Sequence, residues 1–258
     1  KKRIAEGATY QVNYTYRLKA PFAGDAWAFF HRLVQGQKTR HAAFVDTGDF
    51  AVCSASPELF FELGDGVVTS RPMKGTARRG RTAAEDRKQA EALRNSAKDR
   101  AENIMVVDMV RNDIGRIAEP GSVATPSTYD VEKYPTVWQM TSTVRGKLRG
   151  AGARPAPRLC GIFQALFPCA SITGAPKAKT MEIIRSLETS PRKSYTGAIG
   201  FASPGGEASF NVAIRTALID RQAETLEFGV GGGVVWDSDP EAEYQETLTK
   251  ARVLTQPR

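Results

Sequence analysis

The chain has 258 residues, 41% hydrophobic and 25% charged, with 23 Gly and 14 Pro, too ordinary for a disordered, coiled-coil or collagen-like chain. No apolar run approaches about 18 residues, which excludes a membrane-spanning helix. Lys plus Arg (36) exceeds Asp plus Glu (28), giving a net charge of +8, which suits anionic partners: nucleic acid, acidic membrane surfaces, or small polycarboxylates and phosphates.

The start, Lys1-Lys2-Arg3-Ile4-Ala5-Glu6, has neither an apolar h-region nor an initiator Met, and reads as a fragment trimmed at its N-terminus. Tyr10–Leu18 has the β-branched and aromatic content of a strand. Asp25–Gln35 sets Trp27, Phe30, Leu33 and Val34 at helical spacing behind an Asp able to cap them. Ala42–Val45, Ala51–Ser54, Leu59–Leu63 and Val67–Ser70 read as strands, with Gly64-Asp65-Gly66 as a hairpin turn. From Thr82 to Ile117 the pattern predicts two helices, broken near Asn95-Ser96 or at Asn112-Asp113. Val123 to Leu148 returns to strands, and Gly150–Pro157 is the best linker. A helix is expected from Ala175-Pro176, with Pro in its first position, to about Leu187. Gly197–Ala202, Ser209–Ile219 and Leu226–Trp236 are strands, and Asp237-Ser238-Asp239-Pro240 opens a last helix to about Leu254. Strands and helices come in blocks, so α+β is favoured over a doubly wound parallel fold.

Cys53, Cys160 and Cys169 form no Cys-x-x-Cys, so a disulfide framework or thiolate zinc site is not expected, and the compartment reads as reducing and cytoplasmic. His31 and His41 leave little room for histidine catalysis. The carboxylates carry more. Glu243 and Glu246 with Lys250 on the last helix, and Asp99 with Glu102 on an earlier one, lie three and four apart on one face. A solvated stripe with a Glu246–Lys250 pair is the ordinary outcome of such spacing. Together the four acids, without nearby His or Cys, can hold a hard oxygen-preferring ion such as Mg²⁺.

Lys74 stands in Arg71-Pro72-Met73-Lys74-Gly75-Thr76, inside a basic loop with Arg78, Arg79 and Arg81. That is either a phosphate-attracting surface loop or a rigid turn holding a lysine whose partial burial frees its amine as a nucleophile. Glu58, after Ser56-Pro57, is either solvated or, in an apolar cleft, a protonated general acid. Gly229-Val230-Gly231-Gly232-Gly233 runs on into Val234-Val235-Trp236, so no helix opens there and a dinucleotide fingerprint fails. Its amides either bind a carboxylate or form a strand bulge. Ser171-Ile172-Thr173-Gly174-Ala175-Pro176-Lys177 leads into a helix N-terminus, but lacks the Walker pattern for a nucleoside triphosphate.

These segments, in this order, resemble the chorismate-utilising enzymes. The matching stretches are Tyr10-Gln11-Val12-Asn13, Ser56-Pro57-Glu58, Pro72 to Thr76, Glu102 to Arg116, Ser171 to Glu182, Asn211 to Thr216, and Gly229 to Lys250. Lys74, where anthranilate synthases carry Ala, and Gln11, where isochorismate and salicylate synthases carry a water-activating lysine, point to the aminodeoxychorismate synthase component I type. The resemblance implies two stacked antiparallel sheets flanked by helices, with chorismate between them. It implies Mg²⁺ on Glu102 and Glu246, assisted through water by Asp99 and Glu243, with Glu58 as acid and Lys74 as nucleophile. Gln11, Tyr195, Arg215, Ser171, Lys250 and the amides around Gly231, Gly232 and Gly233 would bind substrate. Ammonia would come from a separate glutamine amidotransferase, with no role for nucleic acid or membrane. Relatives carry a longer N-terminal region, so 1–258 is expected to be the catalytic domain without it. Gln139, where many relatives have His, and Cys169-Ala170, in place of a Gly-rich pair, depart from the family pattern. Anthranilate synthase component I or another chorismate enzyme is the alternative, and a non-enzymatic basic nucleic-acid-binding domain the distant one.

Overall fold

The computed structural model describes residues 1–135, 137–150 and 159–254, so the expected linker from 151 to 157 lies outside the described residues. In chain order the elements are α1 (Lys2–Ala5), β1 (Gln11–Pro21), α2 (Ala26–Gln37), β2 (His41–Asp46), β3 (Phe50–Ser56), β4 (Leu59–Gly64), β5 (Val67–Arg71) and β6 (Met73–Arg78). Then come α3 (Ala83–Asn95), α4 (Ala97–Gly115), β7 (Ala124–Lys133), β8 (Val137–Lys147), α5 (Leu159–Leu166), β9 (Gly174–Ala175) and α6 (Lys177–Leu187). The chain finishes with β10 (Ala198–Ala202), β11 (Ala208–Val212), β12 (Thr216–Asp220), β13 (Thr225–Val234) and α7 (Pro240–Ala251), with short 3₁₀ turns at Ala170–Ile172 and Arg252–Leu254. Among the described residues no helix is long and apolar enough to cross a membrane.

Side-chain oxygens cap four helices where the sequence offers them. Asp25 accepts from the Ala28 amide at 2.6 Å, Thr82 from Glu85 at 3.2 Å, Ser96 from Asp99 at 3.2 Å and Asp239 from Ala242 at 2.8 Å. Each satisfies an amide that the first helical turn leaves without a partner. Ser96 is therefore the break between α3 and α4, and Asn112-Asp113 stays helical. Gly64 pairs with Val67 across Asp65-Gly66, both at positive φ, as a two-residue hairpin demands.

The first unit comprises Lys1–Pro57, Ile172–Ile199 and Asn211–Arg258. Its six-stranded sheet has the order β2-β3-β12-β13-β1-β9, with β1 and β13 antiparallel from Val12↔Val234 to Pro21↔Thr225 without a register shift. Leu33 of α2 and Val253 beyond α7 pack with Cys53, Ile219, Phe228 and Val230 of the strands. Burying an aliphatic or aromatic side chain of that size contributes about 1.5–3 kcal/mol, which is what seats α2 on the sheet. Trp27 does not join this core; it is 51% exposed, its ring edge-on to Phe44 at 5.0 Å.

The second unit comprises Glu58–Ser171 and Gly200–Phe210. Its sheet runs β10-β11-β4-β5-β8-β6, with β7 also on β8, and the outer ends of β10 and β11 (198–199 and 211–212) are counted with the first unit. Val106, Val107, Val110 and Ile114 of α4 are buried, and Phe60, Phe61, Phe163 and Phe210 cluster with neighbouring ring centroids 5.0 to 6.0 Å apart, mostly edge-on or tilted, Phe61 stacked on Phe210.

Several expectations need correction. Met73–Arg78 is a strand, not a loop, because it pairs with β8 from Met73↔Thr141 to Arg78↔Val137. The basic stretch is also partly neutralised from within: Arg71 pairs with Glu132, and Arg79 Nε donates to Asp86 Oδ1 at 2.7 Å. Ser209–Ile219 is two strands in different sheets, separated at Arg215, whose backbone is left-handed (φ 49°). Pro176 sits at the N-cap of α6, extended at ψ 141°, rather than inside its first turn.

Candidate active site

In the second unit, Glu58 lies directly ahead of β4, 3% exposed and followed by buried Leu59, Phe60 and Phe61. Lys74 is half-buried on β6. Between Met73↔Thr141 and Thr76↔Gln139, two residues of β6, Lys74 and Gly75, stand opposite Met140 alone. This is a β-bulge, a device that bends a strand and re-aims a side chain.

Gly75 has φ +94°, and a Cβ there would lie 3.0 Å from Asp99 Cβ. The bulge therefore needs glycine twice, for its backbone and for the approach of α4. Replacing Gly75 by Ala is expected to cost about 1–3 kcal/mol, read as a lower urea midpoint at unchanged slope; an unchanged midpoint would contradict it. Asp99 and Glu102 occupy successive turns of α4, Glu102 with Lys98 at 4.0 Å. Ser171, 5% exposed, sits 3.3 Å from Cys169 Sγ in the 3₁₀ turn.

In the first unit, Gln11 opens β1, pairs with Ala175 of β9 and is 2% exposed. Its side-chain Nε2 makes no hydrogen bond among the described residues. The segments that carry Tyr195 and Arg215 are joined through the backbone: Thr196 N donates to Ala213 O at 2.8 Å and Ala213 N to Gly197 O at 2.9 Å. The Tyr195 ring lies where a Cβ on Gly229 would be, 2.2 Å from Cγ, so only glycine at 229 admits it. Burial pushes the Tyr195 phenol up to about 12, so it remains a hydrogen-bond donor at neutral pH. Arg215 Nη1 donates to Gln37 Oε1 at 2.5 Å, and Gln37 is itself buried.

Gly231, Gly232 and Gly233 lie inside the unbroken β1–β13 ladder, so of the two alternatives for this run the bulge is not formed. What reaches them is α7: Lys250 Nζ donates to Gly231 O at 3.0 Å and pairs with Glu246 at 2.7 Å. A Cβ at Gly232 would lie 3.2 Å from Glu243 Oε2, while Glu243 Oε1 accepts from the buried Ser238 hydroxyl at 2.7 Å. Glu243 is thereby held in one rotamer.

Among the described residues no three His, Cys, Asp or Glu side chains gather as a ready metal cluster. Mg²⁺ does not require one: it keeps several waters and binds through one or two carboxylates plus substrate. An all-carboxylate donor set suits that ion and not a soft one.

Residues 1–256 match the family described as chorismate binding enzyme. The chain belongs to that family. It is 42% identical to "Aminodeoxychorismate synthase component 1" of Salmonella typhimurium over 98% of this chain and 54% of the relative. It is 39% identical to "Anthranilate synthase component 1" of Cereibacter sphaeroides over 98% of this chain and 49% of that one. The crystal structure of anthranilate synthase component I from Streptococcus pneumoniae superposes with a TM-score of 0.87 at 34% identity, covering 99% of this chain and 55% of that chain. The chain thus spans about half the length of the curated relatives it matches. For a chorismate binding enzyme, Gln37, Gly75, Asn103 and Gly229 are additions to the site read from sequence. Gly75, Asn103 and Gly229 fall inside matched stretches, whereas Gln37 lies outside all of them and carried no signal there.

Proposed function

We propose that this chorismate binding enzyme makes 4-amino-4-deoxychorismate from chorismate and ammonia. The observation that carries the proposal is Lys74 in the β6 bulge, where the anthranilate type has no amine. The identity to aminodeoxychorismate synthase component 1 supports it.

In the proposed course, the Lys74 amine attacks C2 of the ring. The two ring double bonds shift, the C4–O bond breaks, and Glu58 delivers the proton that lets the hydroxyl leave as water. Ammonia then forms the C4–N bond, the double bonds shift back and Lys74 is released, so chorismate plus ammonia gives the amino product plus water. Gln11, carrying no base, leaves water unactivated. Tyr195 and Arg215 take the side-chain carboxylate, the guanidinium as a planar fork held by Gln37. Ser171, Lys250 and the Gly231–Gly233 backbone are proposed as further substrate contacts. Glu102 and Glu246 would hold Mg²⁺, with Asp99 and Glu243 assisting through water. The ion would bind the ring carboxylate and draw electron density from the ring.

Ammonia is proposed to come from a glutamine amidotransferase partner, consistent with the "component 1" name of the relative. A cytoplasmic location belongs to the same proposal and rests on three free cysteines.

Incubation with chorismate, Mg²⁺ and ammonium is expected to give aminodeoxychorismate. The second reading, anthranilate synthesis, is favoured by the 39% identity to an anthranilate synthase component 1, and anthranilate as product would establish it in place of the first. Isochorismate or salicylate would show water as the nucleophile. Salt-sensitive binding to duplex DNA with no turnover would replace the enzyme reading altogether.

A further inference from the structure

We propose that Asn103 is a positioning residue for the Lys74 amine, acting through the backbone of the β6 bulge; this rests on the reading of Lys74 as nucleophile. A bulge takes backbone groups out of the regular ladder and leaves them to find other partners. Here the Lys74 carbonyl accepts from Asn103 Nδ2 at 3.4 Å.

Asn103 is 1% exposed on α4, one residue past Glu102. The orientation of its amide is fixed from the far side. Ser142 Oγ accepts from the Tyr129 amide at 3.1 Å and donates to Asn103 Oδ1 at 2.5 Å. With the oxygen committed to Ser142, the NH₂ group is the end that faces Lys74. Ser142 N also donates to Pro72 O at 3.2 Å, tying β8 to the residue just before β6.

α4 therefore touches the bulge at two consecutive residues, Asn103 at the Lys74 carbonyl and Asp99 against Gly75. The helix that presents Asp99 and Glu102 is the same one that sets the backbone under the amine. A single long hydrogen bond contributes little to folding, so its loss is expected to act on geometry. Misplacement of a reacting group by about 1 Å can cost about 10²-fold in rate.

The test uses the full chain with chorismate and Mg²⁺ but no ammonium, quenched at intervals, with mass spectrometry of the adduct on Lys74. Asn103→Ala is expected to slow adduct formation by about tenfold or more while the half-saturating chorismate concentration moves by less than about twofold. Asn103→Asp keeps the acceptor for Ser142 but sets an oxygen against the Lys74 carbonyl, so it is expected to do no better than Ala. Ser142→Ala, which frees the amide to turn without emptying the space beside β6, is expected to fall between wild type and Asn103→Ala. It also serves should the Asn103 variants fail to fold.

Wild-type adduct rates in all folded variants, or a rate loss matched by an equal loss of chorismate affinity, would overturn the positioning role and leave the nucleophile standing. A wild-type chain that forms no adduct at Lys74, with Lys74→Ala still active, would overturn the nucleophile reading and the positioning role with it.

Discussion

Replacing Glu58 by Gln is expected to leave chorismate affinity within about twofold and to cut turnover by about 10²–10⁴-fold. Glutamine matches the volume of the carboxyl and its capacity for hydrogen bonding, but it has no proton to give. Glu58 is 3% exposed and leads into Leu59, Phe60 and Phe61, all buried, so bulk water is poorly placed to substitute for it. Losing proton transfer alone should appear in kcat and kcat/KM together, with KM nearly constant. The measurement is steady-state turnover with ammonium at several chorismate concentrations, paired with calorimetric titration of chorismate. A variant that turns over at the wild-type rate would remove Glu58 as the acid. One that loses binding instead would make it a substrate contact.

Local chemistry made much of the architecture readable. Asp25, Thr82, Ser96 and Asp239 cap their helices because a side-chain oxygen ahead of an amphipathic run serves amides that have no other partner. Asp65-Gly66 marked its hairpin through the need for two residues at positive φ. Features set by distant parts of the chain were not readable. β6 follows Pro72 and carries Gly75 and Arg78, the content of a loop, and its pairing with β8 makes it a strand. Ser209–Ile219 is continuously strand-like, and its interruption depends on a left-handed Arg215, a residue with no intrinsic preference for that region.

The candidate site divides the same way. Acid pairs at helical spacing are visible in any sequence, which is why Asp99, Glu102, Glu243 and Glu246 stood out. The support of Glu243 is local, from Ser238 just ahead of α7, but those of the other site residues are tertiary: Gln37 for Arg215 and Gly229 for the Tyr195 ring. A buried Gln at a helix end or a glycine in mid-strand does not announce what approaches it.

The group beneath Tyr195 should show the largest effect on stability. Glu188 has 5% side-chain exposure and Arg17 has 3%. Glu188 Oε1 accepts from Thr15 N at 3.0 Å, from Thr15 Oγ1 at 2.7 Å and from Arg192 Nη2 at 2.6 Å. Arg17 Nη2 lies 3.7 Å from Glu188 Oε2, and its guanidinium stacks 4.9 Å from the Tyr195 ring centroid. Arg17 Nε and Nη2 make no hydrogen bond among the described residues. Desolvation lowers the Arg17 pKa, opposed mainly by the charge of Glu188. One carboxylate thus serves one buried guanidinium, Arg17, and one half-buried one, Arg192. Glu188→Gln removes the negative charge that acts most strongly on Arg17 and is expected to destabilise the fold by about 3–5 kcal/mol, the usual result of breaking a buried ion pair from one side. At this chain length that corresponds to a melting temperature lower by roughly 6–20 °C. Adding Arg17→Met, which replaces one stranded cation by an apolar side chain of similar length, should recover a large part of the loss. Urea unfolding of the two variants against wild type measures both numbers. A Glu188→Gln cost below about 1 kcal/mol would place the pair in the range of solvated surface bridges. A double variant no more stable than Glu188→Gln alone would show that Arg17 stabilises the unit by packing on Tyr195 rather than by its charge.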